Sequence, residues 1–125
     1  MTQPSRKPTD AELAILRILW SRGPSTVRDV AAAMEREDAY TTVLKLLQIM
    51  TDKQLVLRDE SARTHVYEAA HSEAAMQQHL VADLLDRAFA GSAATLVMRA
   101  LSATKTSAKD LAEIRKLLKS KGVAK

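Results

Sequence analysis

In the stretch DAYTTVLKLLQIMTDKQLV, Asp38 to Val56, a phenol and two hydroxyls, Tyr40, Thr41 and Thr42, open a run whose apolar residues recur at helical spacing. On a helical wheel, Val43, Leu46, Leu47 and Met50 share one side. Thr41, Lys45, Gln48 and Asp52 fall opposite, with Thr42 and Ile49 at one edge and Leu44 at the other. Short donors and acceptors with one lysine, on the N-terminal half of a helix, are the groups that meet base edges and phosphates in a DNA major groove. The unpaired amides and positive dipole end of a helix start also suit phosphate. The same pattern equally describes a capped, solvated helix in which the threonines pack and Lys45 is an ordinary surface charge. Tyr40 reads as half-buried beside a neighbouring helix, with its hydroxyl within reach of a phosphate.

The elements around this helix decide whether such a face is presented. Thr9 and Glu12 have the spacing of a capping box ahead of Leu13, Leu16, Leu19 and Trp20, which predicts a helix over about 10–21 that Gly23-Pro24 ends. Ser25 or Thr26 caps a second helix over about 27–36, with Val27, Val30, Ala31 and Met34 at i, i+3, i+4 and i+7. An acidic break at Glu37-Asp38 precedes the third helix, over about 39–53. The period then changes from helical to alternating: Leu55 to Arg58 and Thr64 to Tyr67 are short β-prone runs joined by the polar DESAR, a hairpin. A lone hairpin is marginal in water, so Leu55, Leu57, Val66 and Tyr67 are expected to pack it on the helices. Arg58 and Arg63 are its candidate contacts to a DNA backbone, with Asp59 and Glu60 partly cancelling them.

From Ser72 the chain reads as helical throughout. A long helix carries Met76, Leu80, Leu84, Leu85 and Phe89 and ends near Gly91; a second covers about 93–101. Thr106 or Ser107 caps a third, with Leu111, Ile114, Leu117 and Leu118 on one face. These helices hold more apolar surface than they can bury alone, and a second copy of the chain is the expected cover. The reading is therefore a mainly α protein with one small β-hairpin. It has an arm over 1–8, a winged helix-turn-helix over 9–71 and a helical dimerisation arm over 72–125.

Composition narrows the function classes. The 46% apolar content with only four aromatic residues calls for a core of Leu, Val, Ile, Met and Ala, which favours helices. Without cysteine there is no disulfide, thiolate metal site or cysteine nucleophile. His65, His71 and His79 fall on a strand, a junction and a helix, with no glycine-rich phosphate loop and no nucleophile partner, so an enzyme is not expected. His79 and Asp83, four apart, read as a solvated pair rather than a metal site, and no cofactor is expected. No run approaches a membrane span or a signal peptide, which predicts a cytoplasmic protein without membrane insertion. The net charge of +4 suits a polyanion, yet residues 1–71 hold ten Lys/Arg against ten Asp/Glu, and residues 72–125 hold nine against five. That neutral first part keeps open a winged helix that binds protein rather than DNA.

The segments TDAELAILRILWSRGPSTVRDV, AYTTVLKLLQIMTDKQLV and RDESARTHVYEA closely resemble the penicillinase and methicillin-resistance repressors, winged-helix regulators that include copper-responsive members. The resemblance covers about 9–120. It implies a homodimeric repressor on a near-palindromic, double-stranded operator, with the helices after residue 72 as the dimer interface. It matches the recognition helix at Tyr40, Thr41, Thr42, Val43 and Lys45 and the wing at Arg63, His65 and Tyr67. In many relatives a membrane sensor protease relieves repression by causing a cut in the dimerisation part. The corresponding region here centres on Arg99 and Ala100, where the relatives carry Asn-Phe, so the same cut is not implied. Gln54 stands where relatives often have a glycine after the recognition helix, and it must turn left-handed or end the helix differently. Without cysteine, the C-terminal SKGVAK is not a copper sensor.

Overall fold

The capping box at Thr9 forms as its spacing requires. The Glu12 amide donates to Thr9 Oγ1 at 3.2 Å and the Thr9 amide to Glu12 Oε1 at 2.9 Å, which starts α1, Asp10–Arg22. The computed structural model describes residues 7–35 and 39–122. Gly23 ends α1 with φ +90°, a left-handed backbone open to glycine, and its amide returns to the Leu19 carbonyl at 2.8 Å. Thr26 then caps α2, Val27–Ala33, in a second capping box with Asp29. This helix is shorter than its apolar spacing suggests: Met34 closes it and Glu35 turns left-handed at φ +56°. The expected arm over 1–8, apart from Lys7 and Pro8, and the acidic break Glu37-Asp38 lie outside the described residues.

Helix α3, Ala39–Asp52, buries Ala39, Val43, Leu47 and Met50, while Leu46 is only partly covered. Its end is a Schellman turn built on a residue that resists it. The Leu55 amide reaches back to the Met50 carbonyl at 2.9 Å, the Gln54 amide to that of Thr51 at 3.1 Å, and Gln54 sits at φ +67°. Gln54 thus turns left-handed, the first of the two outcomes expected for it, at a cost of roughly 1 kcal/mol.

The turn also resets the parity of the hairpin. Strand β1, Val56–Asp59, pairs antiparallel with β2, Val66–Ala69, in the register Val56 to Ala69 and Arg58 to Tyr67. Leu55 is consumed by the helix end and buried there, Val56 becomes the first inward strand residue, and alternation sends Leu57 outward. The expectation that Leu57 packs the wing is therefore corrected: it is 56% exposed, and Val56 with Tyr67 does that work. A further tie is absent from the hydrophobic pattern. Ser25 forms a β-bridge with Tyr67, amide to carbonyl in both directions at 2.9 and 2.8 Å, so the segment before α2 joins the hairpin.

The apolar residues of α1, α2 and α3 meet Leu55, Val56 and Tyr67 in one core, which also takes Met76 from α4, Glu73–Ala88. Two polar links close the frame. Trp20 Nε1 donates to the His71 carbonyl at 2.9 Å, and Lys53 Nζ donates to both carboxylate oxygens of Glu12 at 2.8 and 3.0 Å.

Two further helices follow, α5, Ala93–Ala103, capped by Ser92, and α6, Ala108–Ser120, capped by Ser107. The chain divides into two compact units, one ending at Val81 and the other starting at Ala82. The expected boundary between residues 71 and 72 falls at the start of α4, whereas the units divide inside that helix. Its first turns, with Met76 and the partly buried Leu80, pack on the winged core. The fold is a winged helix-turn-helix followed by a helical C-terminal region.

Candidate nucleic-acid interface

The buried stripe of α3 leaves its other side in solvent. Tyr40, Thr41, Thr42, Lys45 and Gln48 are all exposed, and Ile49 joins them, while Leu44 is half-buried. Tyr40 is more open than its expected half-buried position, because Ala39 rather than Tyr40 takes the core place at the start of the helix. The polar face of α3 is thus presented as a continuous surface.

Beside it lies an open groove of about 490 Å³ between the start of α2, the start of α3 and the wing. Arg28, Tyr40, Arg63, Thr64 and His65 supply its polar lining, and Leu44 and Tyr67 its apolar part. Each enters for a local reason. The capping box at Thr26 fixes the first turn of α2 and with it Arg28, a residue that the sequence reading passed over. The bridge from Ser25 to Tyr67 joins this turn to β2, just beyond Arg63, Thr64 and His65. Arginine, tyrosine and threonine donors on converging elements are what a phosphodiester requires.

The two wing arginines differ. Arg58 Nε lies 2.6 Å from Glu60 Oε2, and the Tyr67 hydroxyl, followed by Glu60, raises its pKa, so this guanidinium is already engaged. Asp59 is engaged as well: the Ser61 amide donates to its Oδ1 at 2.9 Å and holds its carboxyl below the ordinary value. Arg63 is exposed and forms no ion pair among the described residues. Asp29 lies near the groove but is turned to its own helix, where the Thr26 backbone and hydroxyl lower its pKa.

The residues expected at a dimer interface separate into two groups. Met76 is 1% exposed inside the winged core, so its assignment to an interface between copies is corrected: its side chain belongs to that core, against which Leu80 also packs. Leu84, Leu117 and Leu118 are about half exposed, and Leu85, Phe89, Leu111 and Ile114 are partly buried. Neither α5 nor α6 has a buried residue. Arg99 and Ala100 are exposed within α5. Asp83 accepts from Arg87 at 3.4 Å, and no group of three metal-ligating side chains occurs among the described residues.

Three helices, an antiparallel wing and an exposed polar third helix define a winged helix-turn-helix protein. The chain belongs to the penicillinase repressor family, whose pattern it matches over residues 8–120. That family is one of transcriptional regulators, not enzymes. The chain is also similar to the transcriptional regulator BlaI of Mycobacterium tuberculosis, strains CDC 1551 / Oshkosh and ATCC 25618 / H37Rv. It is 40% identical to each over 82 residues, which is 63% of this chain and 59% of each relative. No described helix is long and apolar enough to cross a membrane.

Proposed function

We propose that this chain is a sequence-specific, DNA-binding transcriptional repressor that acts in the cytoplasm as a homodimer on a near-palindromic operator. One observation carries the reading: an exposed polar α3 face flanked by a groove that gathers Arg28, Tyr40, Arg63 and His65 from α2, α3 and the wing. The α3 face, through Thr41, Thr42, Lys45 and Gln48, reads base edges, and the groove takes the adjoining phosphate. The half-exposed Leu84, Leu117 and Leu118 support a second copy as cover for the C-terminal unit. Two linked heads bind by effective concentration, so loss of the dimer lowers operator affinity. On the same reading, release follows a cut in the stretch around the exposed Arg99 and Ala100, with a membrane sensor protease system as the partner.

The test is selection of duplexes from a random pool by the purified full chain at moderate salt, with the winner compared against scrambled DNA. A two-fold symmetric winner supports the proposal. The alternative is a winged helix that binds protein without specific DNA recognition, and the equal numbers of acids and bases in residues 1–71 favour it. Folded, dimeric protein that selects nothing would transfer the assignment to that alternative.

A further inference from the structure

The winged unit has no net positive charge to offer a polyanion. Residues 1–71 carry ten Lys/Arg against ten Asp/Glu, and two of those cations are committed, Lys53 to Glu12 and Arg58 to Glu60. Beside α3 and the groove stand Arg28, Lys45 and Arg63. The excess positive charge of the chain lies after residue 72 instead.

Within the C-terminal unit that charge is ordered by α6. Lys109, Arg115, Lys116 and Lys119 fall within an arc of about 120° on the helical wheel, centred opposite Leu111, Ile114, Leu117 and Leu118. All four cations are exposed, and none forms an ion pair among the described residues. Of the acids of the helix, Asp110 falls within the apolar arc, between Leu117 and Ile114, and Glu113 falls between that arc and the cationic one. An apolar face covered by a second copy therefore leaves the cationic ridge in solvent, and each dimer carries two of them.

We propose that this outer ridge of α6 is a second DNA-contacting surface, which binds phosphates without regard to sequence and supplies attraction that the neutral winged unit lacks. It goes beyond the operator reading and rests on it in the choice of DNA as the polyanion and in the second copy that covers the apolar face. Each phosphate neutralised by Lys or Arg releases counterions, so the ridge contributes to the salt dependence of binding and not to base discrimination.

The experiment compares the full-length chain with the variant Lys109→Gln, Arg115→Gln, Lys116→Gln and Lys119→Gln. Binding to the selected duplex and to a scrambled duplex is measured from low to moderate salt. Glutamine has nearly the helix propensity of lysine, and retained dimerisation is checked by sedimentation. A second variant, Lys109→Arg, Lys116→Arg and Lys119→Arg, keeps the charge. The expected result is a slope of log affinity against log salt that is shallower by about 2 or more on both duplexes, with the ratio between duplexes unchanged and the arginine variant like wild type. An unchanged slope in the folded dimeric glutamine variant overturns the ridge while leaving operator recognition standing. So does loss of binding to anionic phospholipid vesicles with DNA binding intact, which would assign the ridge to a membrane surface. Wild-type protein that binds neither duplex overturns both proposals.

Discussion

Lys53→Met removes one half of the ion pair that ties the start of α1 to the end of α3. Glu12 is 2% exposed, and Lys53 Nζ donates to both of its carboxylate oxygens. Without the lysine the carboxylate keeps the Thr9 amide on Oε1 but loses the charge that compensates its burial. Stranding one member of a fully buried pair costs about 3–5 kcal/mol, and since Lys53 retains some exposure the expected loss falls just below that range, at about 2–3 kcal/mol. Urea unfolding at fixed protein concentration measures it. Glu12→Gln keeps an acceptor for Thr9 without a charge to strand, and the double variant should recover part of the loss.

The same pair sets a pH dependence. Burial by itself raises the Glu12 pKa, but the hydrogen bonds from Lys53 and Thr9 together outweigh it and hold the carboxyl below its ordinary 4.5. A folded-state pKa below the unfolded one contributes stability that is complete above about pH 4.5 and is lost as the pH falls through the folded value. In Lys53→Met the burial is less opposed, so Glu12 protonates at a higher pH than in wild type. The stability gap between wild type and variant should be full at neutral pH and close on acidification. A gap that stays constant down to pH 3, or one below about 0.5 kcal/mol at pH 7, would refute a compensated buried charge as the reason Lys53 matters.

Other outcomes can be checked with the same materials. Gln54→Gly relieves the left-handed strain at an exposed position and should stabilise the chain by about 0.5–1 kcal/mol in urea unfolding, and a loss of stability would show that Gln54 is not strained there. Arg28→Gln, which empties one side of the groove, should weaken binding of selected and scrambled duplexes alike and reduce the salt slope by about 1, whereas a change confined to one base position would make Arg28 a base reader. Leu117→Asp places a charge on a side chain that is 55% exposed in the single chain, so it should leave the fold intact and yield monomers by sedimentation; a retained dimer would move the interface elsewhere. Met76→Ala should instead cost about 2–3 kcal/mol of folding stability with dimerisation unchanged in the folded fraction, as suits a core residue.

What the sequence disclosed and what it hid follow from how far each cause acts along the chain. Capping boxes span four residues and use hydroxyl and carboxylate groups that can be read directly, so Thr9 with Glu12 announces its helix start, whereas for α2 the sequence left Ser25 and Thr26 both open and the structure selects Thr26, boxed with Asp29. The stripes of α1, α2 and α3 repeat over several turns and were legible for that reason. The wing was legible as a hairpin but not in its parity, because the Schellman turn at Gln54 consumes Leu55, and a one-residue shift inverts every later side chain. The Ser25 to Tyr67 bridge joins residues 42 apart in sequence through backbone groups alone, so no side-chain pattern records it. That bridge is also what hid Arg28. In the linear sequence it is one charge on a short helix, and it becomes part of a groove only when the start of α2 is fastened to the strand that follows Arg63 and His65. Met76 was misplaced for the opposite reason. A helix face carries one apolar stripe whether it meets its own domain or another copy, and only the packed core distinguishes Met76, which is buried in it, from Leu84, which is half exposed. Burial in the winged core therefore ends within a single helix, between side chains that the sequence pattern treats as equivalent.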